Sequence, residues 1–150
     1  MAKYVEKVFT VQLKNNKNYK DGKYAEALVE TFKRIDEMVS SKEGEEELKM
    51  IRKKNDGTST GENRISDGAG CTANVLLITP KKLFIANAGD SRSVLCKAGK
   101  AIPLSFDHKP ENPIETDRIT KAGGQIINGR VNGGLNLSRS IGDFFYKQDK

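Results

Sequence analysis

The sequence has no tryptophan, one histidine and two cysteines, and its aromatic side chains amount to four Tyr and six Phe. Each scarcity removes a class of function. Cys71 and Cys96 have no neighbouring Cys or His at the spacing of a metal-ligand set, which argues against a zinc site or disulfide scaffold and predicts two buried free thiols. With so few aromatic rings, mostly at apolar-face spacing, there are no stacking platforms for bases. The 26 Lys and Arg against 20 Asp and Glu give a net charge of +6, but the signs are interspersed outside short clusters at 14–20 and 52–54. That charge reads as solvated surface, and nucleic acid is not an expected partner. Long apolar runs are also missing. The longest aliphatic stretch, Val75 to Ile78, is far too short to span a bilayer, and the first residues lack the apolar segment of a signal peptide. A soluble protein of the cytoplasm or nucleus, with no membrane contact, is expected. Neither Gly57-Thr58-Ser59 nor Gly61-Glu62-Asn63 carries the Gly-Lys-Ser/Thr ending and following helix of a Walker-type phosphate loop.

What is present changes character near residue 55. With 150 residues, 36% of them hydrophobic, one ordinary domain is expected. Val5, Val8, Phe9 and Leu13 recur at helical spacing and predict an amphipathic helix ended by Asn15-Asn16-Lys17-Asn18. Tyr24, Leu28, Phe32, Ile35 and Val39 predict a second helix, with Asp21 as its cap. Residues 45–54 form a more polar helix, acidic near its start and basic near its end, as the helix dipole prefers. The helical part is thus 1–54. Residues 55–70, rich in Gly, Ser, Thr, Asn and Asp, read as a mobile loop.

From 71 to 150 the pattern becomes extended. Residues 72–78, 83–88, 93–97 and 101–104, separated by Pro80-Lys81-Lys82 and Ala98-Gly99-Lys100, describe an antiparallel meander. The first of these strands is apolar at almost every position, so it should be covered on both faces. Asn112, Pro113 and Glu115 form a capping box for a short helix stopped by Gly123-Gly124. Asn128-Gly129 marks a tight hairpin, and Asn132-Gly133-Gly134 a second sharp turn. Helices followed by antiparallel strands make an α+β chain. No internal repeat is present.

The chemistry-bearing residues concentrate after the strands. Asp90 follows a strand and a Gly, so its carboxylate should emerge at a sheet end where a cleft can form, which makes it the candidate ligand for a hard divalent cation. It could equally cap its own turn through the amides of residues 91–93. Arg92 and Arg139 could each grip a phosphate oxygen, although a buried structural ion pair or a surface position explains either arginine at least as well. His108 could act as a general acid, although a hydrogen bond within its loop is the simpler account. Asp143, after Ile141-Gly142, could ligate a metal or cap a turn. No catalytic residue is assigned.

The segments Gly70-Cys71-Thr72-Ala73, Ala86-Asn87-Ala88-Gly89-Asp90-Ser91-Arg92, Asp107-His108-Lys109-Pro110, Ala122-Gly123-Gly124, Arg130-Val131-Asn132-Gly133 and Leu137-Ser138-Arg139-Ser140-Ile141-Gly142-Asp143 closely resemble, in order, the motifs of the type 2C metal-dependent Ser/Thr protein phosphatase (PPM) family. The helices of residues 1–54 look like that family's helical pair. The resemblance implies a hydrolase that dephosphorylates phosphoserine and phosphothreonine proteins with Mg or Mn, on an α-β-β-α sandwich with a metal cleft at one end. By resemblance Asp90 matches an aspartate that helps to hold an accessory third ion.

Several family motifs do not occur in the sequence. These are an Arg and a Glu-Asp pair, the Asp-Gly-His-Gly-Gly run with the bridging ligand and catalytic His, and the later Asp-Gly-x-Trp-Asp and Asp-Asn ligands. The chain is therefore expected to be the middle portion of the catalytic domain, without amino-terminal strands and the carboxy-terminal part, inactive alone and with weak or absent metal binding. Uncovered sheet edges should favour self-association. The alternative is a catalytically inactive phosphatase-like module that binds phosphoproteins or regulates a full-length phosphatase.

Overall fold

A computed structural model describes residues 1–56 and 64–147. They fall into two compact units, Met1–Cys71 with Ile141–Lys150, and Thr72–Ser140. No helix among the described residues is long and apolar enough to cross a membrane.

The first unit is built on helices α1 (Ala2–Asn15), α2 (Lys17–Lys20), α3 (Tyr24–Ser40) and α4 (Lys42–Asp56). Leu28, Ile35 and Val39 of α3 are buried with Tyr4, Val5 and Leu13 of α1 and Leu48 of α4, and each large aliphatic side chain so buried contributes about 1.5–3 kcal/mol. Phe9 and Phe32 meet edge to face with centroids 5.7 Å apart. The turn from α3 to α4 is made by Ser41, whose hydroxyl donates to Met38 O at 2.7 Å and accepts from Gly44 N at 3.0 Å. Gly44 is required there, because a Cβ would lie 2.0 Å from Met38 O.

Two expectations for this unit are corrected. The Asn-rich run holds the one-turn helix α2, since the Asn16 side chain accepts from Tyr19 N at 3.2 Å and caps it. Asp21 ends α2 and does not cap α3, whose N-cap is Lys23. Of the predicted loop, residues 57–63 lie outside the described residues, as do the Gly57 and Gly61 runs weighed as phosphate loops. The remainder includes a helical turn, α5 (Ile65–Gly68), that a loop composition did not predict. The Glu45 carboxylate supplies its missing partners by accepting from Ile65 N, Ser66 N and Ser66 Oγ at 2.6, 3.2 and 2.9 Å. Burial opposes the charge on Glu45, but these hydrogen bonds outweigh it and its pKa is lowered. Strand β1 (Gly70–Cys71) then pairs antiparallel with the last strand, β8 (Ile141–Gly142).

The second unit contains β2 (Ala73–Ile78), β3 (Leu83–Ala88), β4 (Val94–Lys97), β5 (Lys100–Pro103), α6 (Pro113–Lys121), β6 (Ile126–Ile127) and β7 (Arg130–Val131). The meander is corrected to two separate hairpins, because β2 pairs with β3 and β4 with β5, each as a two-stranded antiparallel sheet, while β6 and β7 form the hairpin predicted at Asn128-Gly129. Nor is β2 covered on both faces. Leu76 and Ile78 are 49% and 68% exposed, and the register sets Ile78 against Leu83 and Leu76 against Ile85, so one face of the hairpin is an open apolar strip. Cys96 is exposed, against expectation, and Cys71 is half-buried.

Asn128 and Gly129 take φ of 52° and 71°, the left-handed pair that a tight hairpin turn demands. A second such pair at Asn132 and Gly133, with φ of 49° and 73°, lies within the turn closed by a bridge between Val131 and Leu135. The predicted capping box does not form. Asn112 donates through Nδ2 to Asp107 O at 2.7 Å, and Glu115 is buried in an ion pair.

Candidate functional site

Strand β3 ends in Gly89-Asp90-Ser91-Arg92, and the loop between β5 and α6 brings Asp107-His108-Lys109 beside it. Gly89 has φ +109°, and a Cβ would sit 2.5 Å from Thr72 Cγ2, so this turn and the close approach both need glycine. His108 N donates to Gly89 O at 3.0 Å, while Gly89 N donates to His108 Nδ1 at 3.2 Å. The ring thus uses Nδ1 as an acceptor, which leaves Nε2 to carry its proton. Burial, reinforced by the charge of Arg139, lowers the His108 pKa. His108 is hydrogen-bonded in a loop, as expected, but its ring partner, Gly89 N, lies on the neighbouring loop.

Charged side chains complete the clasp. The Asp90 carboxylate pairs with Lys109 Nζ, and Arg92 Nε donates to Asp107 Oδ1 at 2.9 Å. That bond holds the Asp107 carboxyl below its usual range. Arg92 is more than half exposed. Of the amides that Asp90 could have capped, Ser93 N donates instead to Ser105 Oγ at 2.9 Å, and the Asp90 carboxylate faces the lysine.

A polar network under the loop holds it in place; of its side chains only Asn87 falls within a motif segment, Ala86 to Arg92, and no role was readable for it there. Asn74 and Asn87 stand opposite each other on β2 and β3. Asn74 Nδ2 donates to Asn87 Oδ1 at 2.9 Å and to Ser105 Oγ at 3.3 Å, and Ser93 Oγ donates to Asn74 Oδ1. Asn87 Nδ2 donates to Gly89 O at 3.0 Å and Phe106 O at 2.9 Å. Both ends of the clasp are therefore tied to one hairpin, and the only advance signal was an amide in each of two otherwise apolar strands.

Arg139 is committed elsewhere. Its Nε and Nη2 donate to Glu115 Oε1 at 3.0 and 2.7 Å, and Arg118 Nη2 donates to Glu115 Oε2 at 3.0 Å. This is the buried ion pair weighed for Arg139. Burial would raise the Glu115 pKa, but the Arg139 hydrogen bonds, with Arg118, bring it to about 2.

Asp143 belongs to the other unit, where its backbone has a left-handed φ of 54° and caps the 3-10 turn Phe144–Tyr146. Its N donates to Ala69 O at 3.2 Å, and its carbonyl accepts from Tyr146 N at 3.0 Å. Asp36, which the sequence did not single out, accepts from Gly142 N at 2.8 Å and pairs with Lys147 at 2.7 Å.

Hard divalent ions require several oxygen ligands. Among the described residues no group of three or more His, Cys, Asp or Glu is placed to hold a metal, and the Asp90 carboxylate already faces an ammonium. These residues do not by themselves fit a complete Mg or Mn site.

The fold and the ordered motifs agree with comparisons to known proteins. The sequence matches the Protein phosphatase 2C family over residues 1–150. The chain belongs to that family. It is 50% identical over 149 residues to "Protein phosphatase 2C 1" of Paramecium tetraurelia, covering 99% of this chain and 47% of the relative. It is 39% identical to "Probable protein phosphatase 2C 21" of Arabidopsis thaliana, covering 100% of this chain and 50% of that one. A crystal structure of a phosphatase from Toxoplasma gondii has a TM-score of 0.53 at 21% identity, with 98% of this chain and 54% of that chain covered. That likeness concerns the fold: an α+β chain of helices and small antiparallel sheets. This 2C-family chain spans about half the length of the curated relatives it matches. The family is one of metal-dependent Ser/Thr protein phosphatases, hydrolases of phosphoproteins.

Proposed function

We propose that these 150 residues form the middle portion of a type 2C catalytic domain, comprising a helical part and a strand-rich part of an α-β-β-α sandwich. In its complete form the domain hydrolyses phosphoserine and phosphothreonine in proteins with Mg or Mn, in the cytoplasm or nucleus. The reading is carried by the Asp90 loop, which is built in full by its clasp and polar network while no group of metal ligands stands around it among the described residues. A lone carboxylate paired with lysine cannot lower the pKa of a metal-bound water. In this reading Asp90 is an accessory metal ligand in the complete domain, and the chain alone binds Mg or Mn weakly or not at all and is inactive.

The open apolar strip of Leu76, Ile78 and Leu83 supports self-association through uncovered strands. The same strip favours a second reading, a catalytically inactive module that regulates a full-length phosphatase or binds phosphoproteins. A phosphothreonine peptide separates the two by calorimetry and by phosphate release. The first reading expects neither affinity nor turnover from the isolated chain. Tight binding without turnover would favour the second.

A further inference from the structure

We propose that Asn128 is a site of spontaneous covalent modification, where the carboxamide is converted through a cyclic imide to aspartate and isoaspartate, while Asn132 is protected from the same reaction. The sequence holds two Asn-Gly pairs, at 128–129 and 132–133. Such pairs are reactive because a following glycine has no side chain to hinder the approach of its amide nitrogen to the asparagine. Both asparagines are exposed, and both have a left-handed backbone, with φ of 52° and 49°. Solvent access and backbone shape therefore do not separate them.

Hydrogen bonding does. Asn132 Oδ1 accepts from Gln125 N at 2.9 Å, Asn132 N donates to Gln125 O at 2.7 Å, and Gly133 N donates to Arg130 O at 3.3 Å. The carboxamide and the nucleophile of that pair are both held. Among the described residues, neither the Asn128 side chain nor Gly129 N has a hydrogen-bond partner. Their turn closes on two residue pairs, Ile127 with Arg130 and Ile126 with Val131, and a two-stranded hairpin that short opens at little cost.

Opening brings Gly129 N to Asn128 Cγ. The N–Cγ bond forms, the Cγ–Nδ2 bond breaks, and ammonia departs with the Gly129 amide proton. Water then opens the imide. Cleavage of the bond from Gly129 N to Cγ gives aspartate, and cleavage of its bond to the main-chain carbonyl carbon gives isoaspartate, whose main chain is longer by a methylene. Either product places its new carboxylate in a turn that Glu111 already faces, since a Cβ on Gly129 would lie 2.6 Å from Glu111 Oε1. The lengthened chain of isoaspartate also no longer matches the tight hairpin turn. Conversion at Asn128 thereby loosens β6 from β7.

The test is incubation of the whole folded chain in mildly alkaline buffer, with conversion at each asparagine read by peptide mapping and mass spectrometry, and isoaspartate read by enzymatic methyl transfer to its free carboxyl. The same chain unfolded in urea is the control. In the folded chain Asn128 should convert at least about fivefold faster than Asn132, the factor expected from one hydrogen bond on the protected carboxamide, and in urea the two rates should converge. Equal rates in the folded chain, or faster conversion at Asn132, would overturn the proposal. So would an advantage of Asn128 that persists undiminished in urea, because it would then belong to the flanking residues. A folded chain in which Asn128 stays intact while the unfolded chain converts would overturn it as well. In the converted chain the Arg130 amide should exchange faster than in the fresh one, and unchanged exchange there would refute the loosening of the hairpin.

Discussion

Replacing Glu115 with Gln removes the charge that Arg139 and Arg118 enclose but leaves the shape of the side chain almost unchanged. The folded carboxyl is held at about 2 against an ordinary value of 4.5, which corresponds to about 3 kcal/mol of charge-dependent stability. Because the two arginine side chains are 43% and 48% exposed, solvent screening reduces the expected loss in E115Q to about 2 kcal/mol. For a chain of this size that is roughly 4–8 °C in Tm. The sign with pH follows from the depressed pKa. The contribution is complete above 4.5, falls as pH drops from 4.5 towards 2, and vanishes below that window. Wild type should therefore lose stability over that window by about 2 kcal/mol more than E115Q does. Urea unfolding at several pH values measures the difference, and amide exchange at Ile119 and Val131 assigns it to the unit that contains Glu115. If E115Q lies within about 0.5 kcal/mol of wild type at pH 7, or shows the same acid slope, the ion pair is not a stabilising element and the reasoning fails.

Other perturbations test other joints of the structure. In G44A the new methyl would stand 2.0 Å from Met38 O and 3.0 Å from Val39 Cα, both backbone. Calorimetry should show a loss of about 3 kcal/mol or more, and an unchanged Tm would refute the close approach of α3 and α4. E45A should leave Ile65 N and Ser66 N without their acceptor and speed exchange of those two amides by about tenfold, with little change in α1. Placing Lys at Leu76 and Ile78 should convert any self-associated species to monomer in sedimentation velocity. Association that persists in that variant would locate the contact elsewhere.

Periodicity made the long helices legible, because Leu28, Ile35 and Val39 repeat on one face and bury it. The Asn128-Gly129 turn was equally legible, since left-handed backbone at two successive positions selects those residues. Pairing between distant segments was not. Nothing local distinguishes a four-stranded meander from two separate hairpins, and the apolar run of β2 describes a strand suited to burial whether or not anything covers it. The same limit applied to side chains with distant partners. Glu115 had the position of a capping-box residue, but Arg139, 24 residues away, outcompeted the amides of its own helix. Glu45 read as a dipole-favoured acid of α4, yet it caps α5. At the candidate site, Asp90 and Arg92 were visible as a loop motif, while Lys109 and Asp107 became their partners only through the fold of residues 105–110.

The most direct test of the central claim, that the chain carries a phosphatase scaffold with an accessory carboxylate but not a working site, is Mn- or Mg-dependent hydrolysis of an aryl phosphate by the purified chain, with D90A as control. The account predicts no metal-dependent turnover by either protein. Turnover by the wild-type chain that D90A abolishes would show that Asp90 and other residues of these 150 assemble a working site, and would contradict it.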